Sequence, residues 1–98
     1  MKSEAMFDCP VGICVDFEGN IIVCDSNNHK IRKISKDGNV STITGSTRGC
    51  RDGYLKDVQF DDPRGICVDN SGNLYIADWG NGRIRKIVLS ENGKAKYL

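Results

Sequence analysis

One feature limits the fold of this chain more than any other: the sequence repeats itself. Three blocks recur in fixed order: PVGICVD at 10–16 as PRGICVD at 63–69, GNIIVCD at 19–25 as GNLYIAD at 72–78, and IRKI at 31–34 again at 84–87. Pro10 thus aligns with Pro63, a spacing of 53 residues that holds through all three blocks. Self-similarity at a fixed spacing is typical of proteins that stack copies of one small unit. The chain is therefore interpreted as two such units.

Each unit divides into four short runs rich in β-forming residues. In the first unit these runs lie at 12–15, 21–24, 30–35 and 40–44. The connectors between them, at 16–20, 25–28 and 36–39, are rich in Asp, Asn and Gly, which favour tight turns. No segment has apolar residues at helical spacing over ~10 residues or more. We predict an all-β fold in which each unit is a sheet of four antiparallel strands.

The predicted strands differ in polarity. The first two, ICV and NIIVC in the first unit, are nearly continuous apolar runs, as expected for strands covered on both faces. The third, HKIRKI, carries more charge. A gradient from buried inner strands to a more solvated outer strand is what a radial blade requires, so the third strand is predicted to lie farther out.

The three blocks together resemble the NHL repeat. They match its order of P-x-G-I-x-V-D, then G-N-hydrophobic-Y-hydrophobic-A-D, then N-x-x-I-R-K-I, in two copies that cover nearly the whole chain. The linker at 46–63 resembles an insertion between blades in one branch of that family. The resemblance implies a β-propeller, commonly six-bladed, that presents a binding face. Residues 1–49 are then blade 1 with the start of the interblade loop, and 50–98 are the rest of the loop with blade 2.

Two blades cannot close a ring, because the apolar faces of a blade must be covered by neighbouring blades. We therefore expect a two-blade unit that self-assembles head to tail, a homotrimer giving a six-bladed ring through a large apolar interface. A homotetramer with eight blades is the leading alternative. A piece of a longer propeller is the other way to cover the faces.

Composition narrows the choice of partners. The chain has 14 Lys and Arg against 13 Asp and Glu, and a net charge of +1 creates no long-range field for nucleic acid or a membrane. No run approaches the ~20 apolar residues of a membrane span, so we expect a soluble, cytoplasmic protein. None of the five cysteines lies in a C-x-x-C pair. They are predicted to be free, buried thiols, with no metal and no other cofactor.

Function is expected on the loops of one propeller face. In an up-and-down blade, the connector between the second and third strands and the loop that joins the blades emerge on the same face, which gathers 25–28, 78–81 and 46–64. Residues that recur in both copies are interpreted as structural, in turn bonds and interblade ion pairs: Asp16 with Asp69, Asp25 with Asp78, Asn28 with Asn81, and Arg32 with Arg85. The alternative for these carboxylates is a ring that holds a cation on the propeller axis.

Residues that differ between the copies are the binding candidates. Trp79 replaces Ser26, and Arg64 replaces Val11. The other residues singled out on this face are Asn27 in blade 1 and Arg48, Cys50, Arg51 and Tyr54 in the loop. Because Trp, Tyr and Arg dominate the binding energy of interfaces, the face is predicted to bind another protein. For Trp79, packing over the adjacent loop is the alternative.

The family resemblance suggests two further functions, RNA binding and catalysis. Some NHL proteins resemble RNA readers with a basic face, but in this loop four acidic residues, Asp52, Asp57, Asp61 and Asp62, balance four basic ones. Related propellers resemble lactonases and lyases with an axial metal, which requires converging His and carboxylate ligands. His29 is the only histidine, and it is interpreted as exposed or locally bonded in the place of Gly82. We therefore expect a scaffold and not an enzyme.

Overall fold

Two antiparallel sheets joined by one long loop make up the protein. The computed structural model describes residues 7–89 and the backbone of a strand at 94–97. Within those residues the regular elements are nine β-strands and two single-turn 3-10 segments. This confirms the prediction of an all-β fold.

The first sheet, blade 1, contains four strands: β1 (Pro10–Val15), β2 (Ile21–Asp25), β3 (Lys30–Ile34) and β4 (Val40–Gly45). The second sheet, blade 2, contains five: β5 (Gly53–Tyr54), β6 (Pro63–Val68), β7 (Leu74–Asp78), β8 (Arg83–Val88) and β9 (Lys94–Tyr97). Blade 1 has the order β1-β2-β3-β4, and blade 2 has the order β5-β9-β8-β7-β6. Four strands of each blade therefore follow the predicted up-and-down order. The turn pattern did not predict β5, which comes from the interblade loop and pairs with the outer strand β9.

The first connector of each blade is held by one aspartate. Asp16 Oδ1 accepts hydrogen bonds from the backbone amides of Glu18 and Asn20, at 3.0 and 2.9 Å. Asp69 accepts the equivalent pair in blade 2, both at 2.9 Å. An aspartate that bonds the backbone two residues on stabilises a tight turn, as the repeat analysis predicted for these two positions.

The second connector of each blade is a 3-10 turn, Ser26–Asn28 in blade 1 and Trp79–Asn81 in blade 2. Each turn ends at a residue with left-handed backbone, His29 at φ 56° and Gly82 at φ 63°. Glycine adopts this conformation without steric cost, whereas a histidine there is uncommon. His29 thus takes the backbone role of Gly82, and the two connectors have the same path.

The core lies between the two blades. Its fully buried apolar members come from facing sides of the sheets and from the loop: Ile22, Cys24, Ile31, Val58, Phe60, Leu74, Ile76 and Ile87. At the inner edge the backbones of β1 and β6 meet, and a Cβ on Gly12 would lie 2.0 Å from the carbonyl oxygen of Arg64. At the outer edge the loop lies between the blades, where Thr44 Oγ1 donates a hydrogen bond to the Leu55 carbonyl at 2.8 Å. The inner strands are therefore close and the outer strands are spaced by the loop.

Each blade turns one face away from the shared core. In β1, Cys14 packs against the core, so its neighbours Ile13 and Val15 point outward and are 66% and 60% exposed. In β6 the pattern is reversed, because the isoleucine and valine of the same ICV triplet pack against the core while Cys67 is exposed. Within the single chain, each first strand is thus covered on one face. Its coverage on both faces by neighbouring blades stays a prediction.

We name these outward faces by their blades. The leading flank is the outward face of blade 1: Phe7, Ile13, Val15, Ile21, Val23 and Ile34. The trailing flank is the outward face of blade 2: Cys67, Tyr75, Ala77 and Ile84. At the 53-residue spacing, the leading flank aligns with the side of blade 2 that packs on blade 1, and the trailing flank aligns with the side of blade 1 that packs on blade 2.

The cysteines also differ from expectation. Cys24 alone of the five is fully buried, and Cys9, Cys50 and Cys67 are exposed. Burial raises the pKa of the Cys24 thiol to about 12, with smaller contributions from Cys14 and Asp78. Cys24 therefore behaves as a small protonated core residue. Buried thiols were expected at all five positions, and that expectation fails where a cysteine lies in a loop or on an uncovered flank.

Candidate interaction face

The interblade loop folds back over one end of blade 2. The Gly49 amide donates to the Phe60 carbonyl at 2.9 Å, and the Gln59 amide donates to the Arg51 carbonyl at 3.0 Å. From the connector between β7 and β8, Asn81 Nδ2 donates to the Gly49 carbonyl at 2.8 Å. The loop and this connector therefore lie on the same face, as the up-and-down order predicted.

Arg85 links the loop to the blade. Its guanidinium is completely buried and donates to Asp78 Oδ2 and to Asp52 Oδ1, both at 2.7 Å. It also donates to the carbonyls of Gln59 and Arg51, at 2.8 and 2.7 Å. Burial lowers the pKa of Arg85, but the hydrogen bonds to Asp52 and Asp78 outweigh it and raise the pKa overall. Arg85 is thus an internal charged cross-link and does not form part of the exposed surface.

The equivalent arginine of blade 1 is also buried. Arg32 pairs with Asp25 at 3.2 Å. Ion pairs were predicted between blades, but the pairs of Arg32 with Asp25 and of Arg85 with Asp78 each lie within one blade. Antiparallel pairing brings the aspartate of the second strand and the arginine of the third strand onto the same face of the sheet. Since Ile31 is buried as well, the third strand is less solvated than its charge predicted.

The repeated aspartates accept hydrogen bonds from their own blades. The Asp8 amide donates to Asp25 Oδ1 at 2.7 Å, and Asn28 Nδ2 donates to Asp25 Oδ2 at 2.8 Å. Asp78 accepts the equivalent two bonds in blade 2, at 2.8 and 2.7 Å. These contacts support the structural interpretation over a cation-binding ring. Within the residues that the structure describes, no group of three His, Cys, Asp or Glu side chains is placed to hold a metal ion.

Two of the binding candidates are in contact. The guanidinium carbon of Arg64 lies 4.0 Å from the centroid of the Trp79 ring. Arg64 Nη2 and Nε both donate to Asp62 Oδ2, at 2.8 and 3.2 Å, so the guanidinium is held between a carboxylate and an indole. Trp79 is 62% exposed and borders a cavity lined by Ala77 and Ile84 of the trailing flank. The candidate face therefore meets the trailing flank at Trp79.

The other candidates are spread over the same face. Arg48 and Arg51 are exposed in the loop, as is Cys50, and Tyr54 is 53% exposed in β5 at the outer edge of blade 2. Asn27 belongs to blade 1, where its side chain donates to Asp8 Oδ1 at 3.1 Å. Among these candidates, Arg64 contacts Trp79. The face is thus a set of separate features and not a convergent pocket.

Sequence reasoning missed the polar contacts between the blades. Besides Thr44 at the outer edge, three described side chains of blade 1 make them: Cys24 Sγ to the Gly65 carbonyl at 3.7 Å, Ser26 Oγ to the Pro63 carbonyl, and His29 Nδ1 from the Asp62 amide at 3.1 Å. In blade 2 the aligned residues are Ala77, Trp79 and Gly82, which retain none of these polar side-chain groups. The signal was present in the alignment as three differences along the same edge. Of these, the Ser26 and Trp79 pair was singled out as a binding difference. His29 was interpreted as exposed or locally bonded in the place of Gly82, and that interpretation is wrong, because His29 is partly buried and bonds the amide of Asp62, 33 residues away.

A family model with the description NHL repeat matches residues 7–34 and 60–87. The chain is 33% identical over 98 residues to Protein SUPPRESSOR OF QUENCHING 1, chloroplastic, of Arabidopsis thaliana, covering 98% of this chain and 9% of that protein. It is 35% identical over 91 residues to NHL repeat-containing protein 2 of Homo sapiens, covering 88% of this chain and 12% of that protein. The chain therefore spans about a tenth of the length of these curated relatives.

A solved structure supports the same fold. A structural genomics protein of unknown function from Bacteroides thetaiotaomicron superimposes with a TM-score of 0.81 at 27% sequence identity, covering 90% of this chain and 22% of that chain.

Across the described residues, no helix has the length and apolar character needed to cross a bilayer.

Proposed function

This chain belongs to the NHL repeat family of β-propellers, and on that premise we propose that it is a non-catalytic scaffold whose two-blade unit assembles head to tail with its own copies. The observation that carries the proposal is the reversed exposure of the two ICV triplets, at 13–15 and 66–68. Identical residues are buried on one side in blade 1 and on the other in blade 2. Each blade thus has one face covered by the other blade and one uncovered face. The uncovered face of blade 1 corresponds to the covered face of blade 2, and the uncovered face of blade 2 corresponds to the covered face of blade 1.

The two flanks are complementary in the way that the blades themselves are. Blade 2 packs on blade 1 through Ile66 and Val68, which align with Ile13 and Val15 of the leading flank. Blade 1 packs on blade 2 through Ile31, which aligns with Ile84 of the trailing flank. A contact between a trailing flank and the leading flank of the next copy repeats the contact already present within the chain. Such a head-to-tail contact closes into a ring when the rotation per unit divides a full turn.

We propose three copies and a six-bladed ring, with four copies and eight blades as the alternative. Exposed apolar flanks support association, since burial of apolar surface contributes roughly 25 cal/mol per Å². In a longer polypeptide, further NHL blades would occupy the same flanks. The ring would hold the exposed loops, with Arg48, Arg51 and Tyr54, in fixed positions for a protein partner.

An RNA-binding or a catalytic propeller has less support. Arg64 is already bonded to Asp62 and stacked on Trp79, and Arg85 is enclosed within the blade. A polyanion would meet a loop in which four basic residues, Arg48, Arg51, Lys56 and Arg64, stand against four aspartates, Asp52, Asp57, Asp61 and Asp62. Salt-sensitive binding of single-stranded RNA would favour the RNA alternative, and turnover of a lactone or ester would favour the enzyme.

The test is the mass of the 98-residue chain in solution. We expect sedimentation equilibrium to give an assembly of three times the single-chain mass of 10.8 kDa, in a concentration-dependent equilibrium with the single chain. Ile13→Asp places a charge on the leading flank and should abolish assembly while leaving the circular dichroism spectrum unchanged. Ser41→Asp, at an exposed position of β4, is the matched control and should assemble normally. A folded chain that remains single at every concentration contradicts the proposal.

A further inference from the structure

Within the described residues, Trp79 does not make the contact between blades that the aligned Ser26 makes. Ser26, at the aligned position in blade 1, is fully buried and bonds the Pro63 carbonyl of blade 2. Trp79 occupies the same position of the same 3-10 turn and is 62% exposed. The difference arises because blade 2 covers Ser26, while no blade within the described chain covers Trp79. Trp79 therefore lies where a following blade would begin.

The opposite end of the unit has a groove at the matching place. The leading flank carries an apolar groove of about 270 Å³, lined by Phe7, Pro10, Val11, Ile13, Val23 and Ile34. Pro10 and Val11 align with Pro63 and Arg64, the segment that covers Ser26 within the chain. Contact between two copies in the intrachain geometry would therefore bring Trp79 of one copy to the Pro10–Val11 segment of the next.

The substitutions along this edge compensate one another in size and polarity. Ala77 and Gly82 are smaller than the aligned Cys24 and His29, and Trp79 is larger than Ser26. Across the junction, Val11 replaces the charged Arg64, so an indole meets an apolar side chain. At this edge the junction within the chain uses the polar contacts of Cys24, Ser26 and His29, and the junction between copies would instead bury one large aromatic side chain.

We propose that Trp79 is the anchor of the contact between copies and inserts into the groove of the next copy, formed by Phe7, Pro10 and Val11. This inference rests on the proposed head-to-tail assembly and deepens it, because it names the side chain that gives the junction between copies its affinity. Tryptophan is enriched among interface hot spots, which lie in well-packed, desolvated pockets. The guanidinium of Arg64, stacked at 4.0 Å, supports one face of the indole and restricts its rotation.

The sequence allows a direct readout, because Trp79 is the single tryptophan of the chain. Intrinsic fluorescence of the unmodified 98-residue chain is measured across a dilution series, with sedimentation run on the same samples. We expect the emission maximum to shift to shorter wavelength, and acrylamide quenching to decrease, in step with the assembled fraction. Assembly in which the indole remains fully quenchable overturns this inference and leaves the ring intact. A chain that never assembles overturns both.

Variants test the contact itself. Trp79→Ser, which installs the residue of blade 1, should weaken association at least about tenfold. Phe17→Ser, which removes a 73% exposed aromatic in the turn after β1, is the matched control and should have little effect. Val11→Ser should also weaken association. If Trp79 contacts Val11 of the next copy, the double variant should lose less than the product of the two single losses, because residues in contact are not additive. Strictly multiplicative losses contradict the proposed contact.

Discussion

The two ICV triplets, at 13–15 and 66–68, have the same sequence and the same place in a blade, and yet their exposure is reversed. Ile13 and Val15 are exposed while the cysteine between them packs on the core, and in the second triplet the cysteine is exposed. The triplet has two apolar sides, and the position of the neighbouring blade decides which one is buried. Burial in this fold is thus a property of the junction between blades and not of the blade alone.

The largest expected effect compares two aligned phenylalanines. Phe60 is completely buried, whereas Phe7 is half-buried on the leading flank. Phe60→Ala should lower the free energy of unfolding by about 3–5 kcal/mol through lost contacts and a cavity, and Phe7→Ala should cost less than about half of that. Urea denaturation of the dilute single chain measures both. Equal losses would show that the leading flank is covered.

The reciprocal pair compares two aligned isoleucines. Ile31 of blade 1 is completely buried, while Ile84 of blade 2 is 48% exposed. Ile31→Ala should cost about 2–4 kcal/mol in the dilute chain, and Ile84→Ala about 1 kcal/mol or less. The more sensitive residue belongs to blade 1 in this pair and to the 50–98 unit in the phenylalanine pair. The two comparisons together therefore exclude a general difference in stability between the blades. At concentrations that favour assembly, the loss for Ile84→Ala should increase, since association stabilises the folded chain.

A smaller effect is expected at the interblade hydrogen bond of Ser26. Ser26→Ala removes the bond to the Pro63 carbonyl in a buried site and should cost about 1 kcal/mol. The control is Ser46→Ala, an exposed serine after β4, which should change the free energy of unfolding by less than about 0.5 kcal/mol. Thermal denaturation of both variants makes the comparison. A loss at Ser46 as large as that at Ser26 would contradict the role of this bond.

The smallest difference concerns the two turn aspartates. Hydrogen bonds from the Asn73 backbone, and then from the Tyr75 hydroxyl at 2.9 Å, lower the pKa of Asp69 below its ordinary 3.8. A lowered pKa in the folded state means that the stabilisation is present above about pH 4 and is lost as the pH falls through the folded value. Tyr75→Phe should raise the pKa of Asp69.

Asp16 provides the internal control, because Ile22 occupies the position of Tyr75 in blade 1. Burial raises the pKa of Asp16, but hydrogen bonds from Asn20 and Glu18 outweigh it and lower the pKa. Carboxyl chemical shifts followed by NMR from pH 2 to 6 report both groups. The Tyr75→Phe change should leave the Asp16 titration where it was, and a shift of both would point to a global effect.

The sequence predicts the strands and turns well because turn chemistry is local. Asp16 and Asp69 bond amides two and four residues ahead, so the turns that they form are visible in the sequence. The repeated aspartates and arginines were predicted to form ion pairs between blades, but Arg32 pairs with Asp25 and Arg85 with Asp78 within one blade. The backbone register places the two side chains of each pair on the same face of one sheet.

The candidate site was harder to predict because it depends on junctions. Trp79 and Arg64 were identified as differences between the copies, and the structure brings them into contact. The roles of Cys24 and His29 were not predicted, because their partners, Gly65 and Asp62, lie 41 and 33 residues away along the chain. Contacts over such distances depend on the docking of complete blades. The alignment shows where the copies differ but not which surface each difference faces.

The unequal spacing of the two blades has a geometric consequence. At one end the backbones of β1 and β6 meet at Gly12, and at the other the loop separates the blades and is tied to blade 1 by Thr44. The pair of blades is therefore wedge-shaped, narrow at the edge where β1 meets β6 and wide at the edge that contains the loop. In the closed ring that we propose, this wedge angle would determine how many copies complete the circle. Shortening the loop would reduce the wedge angle, and the proposed ring would then need more copies to close.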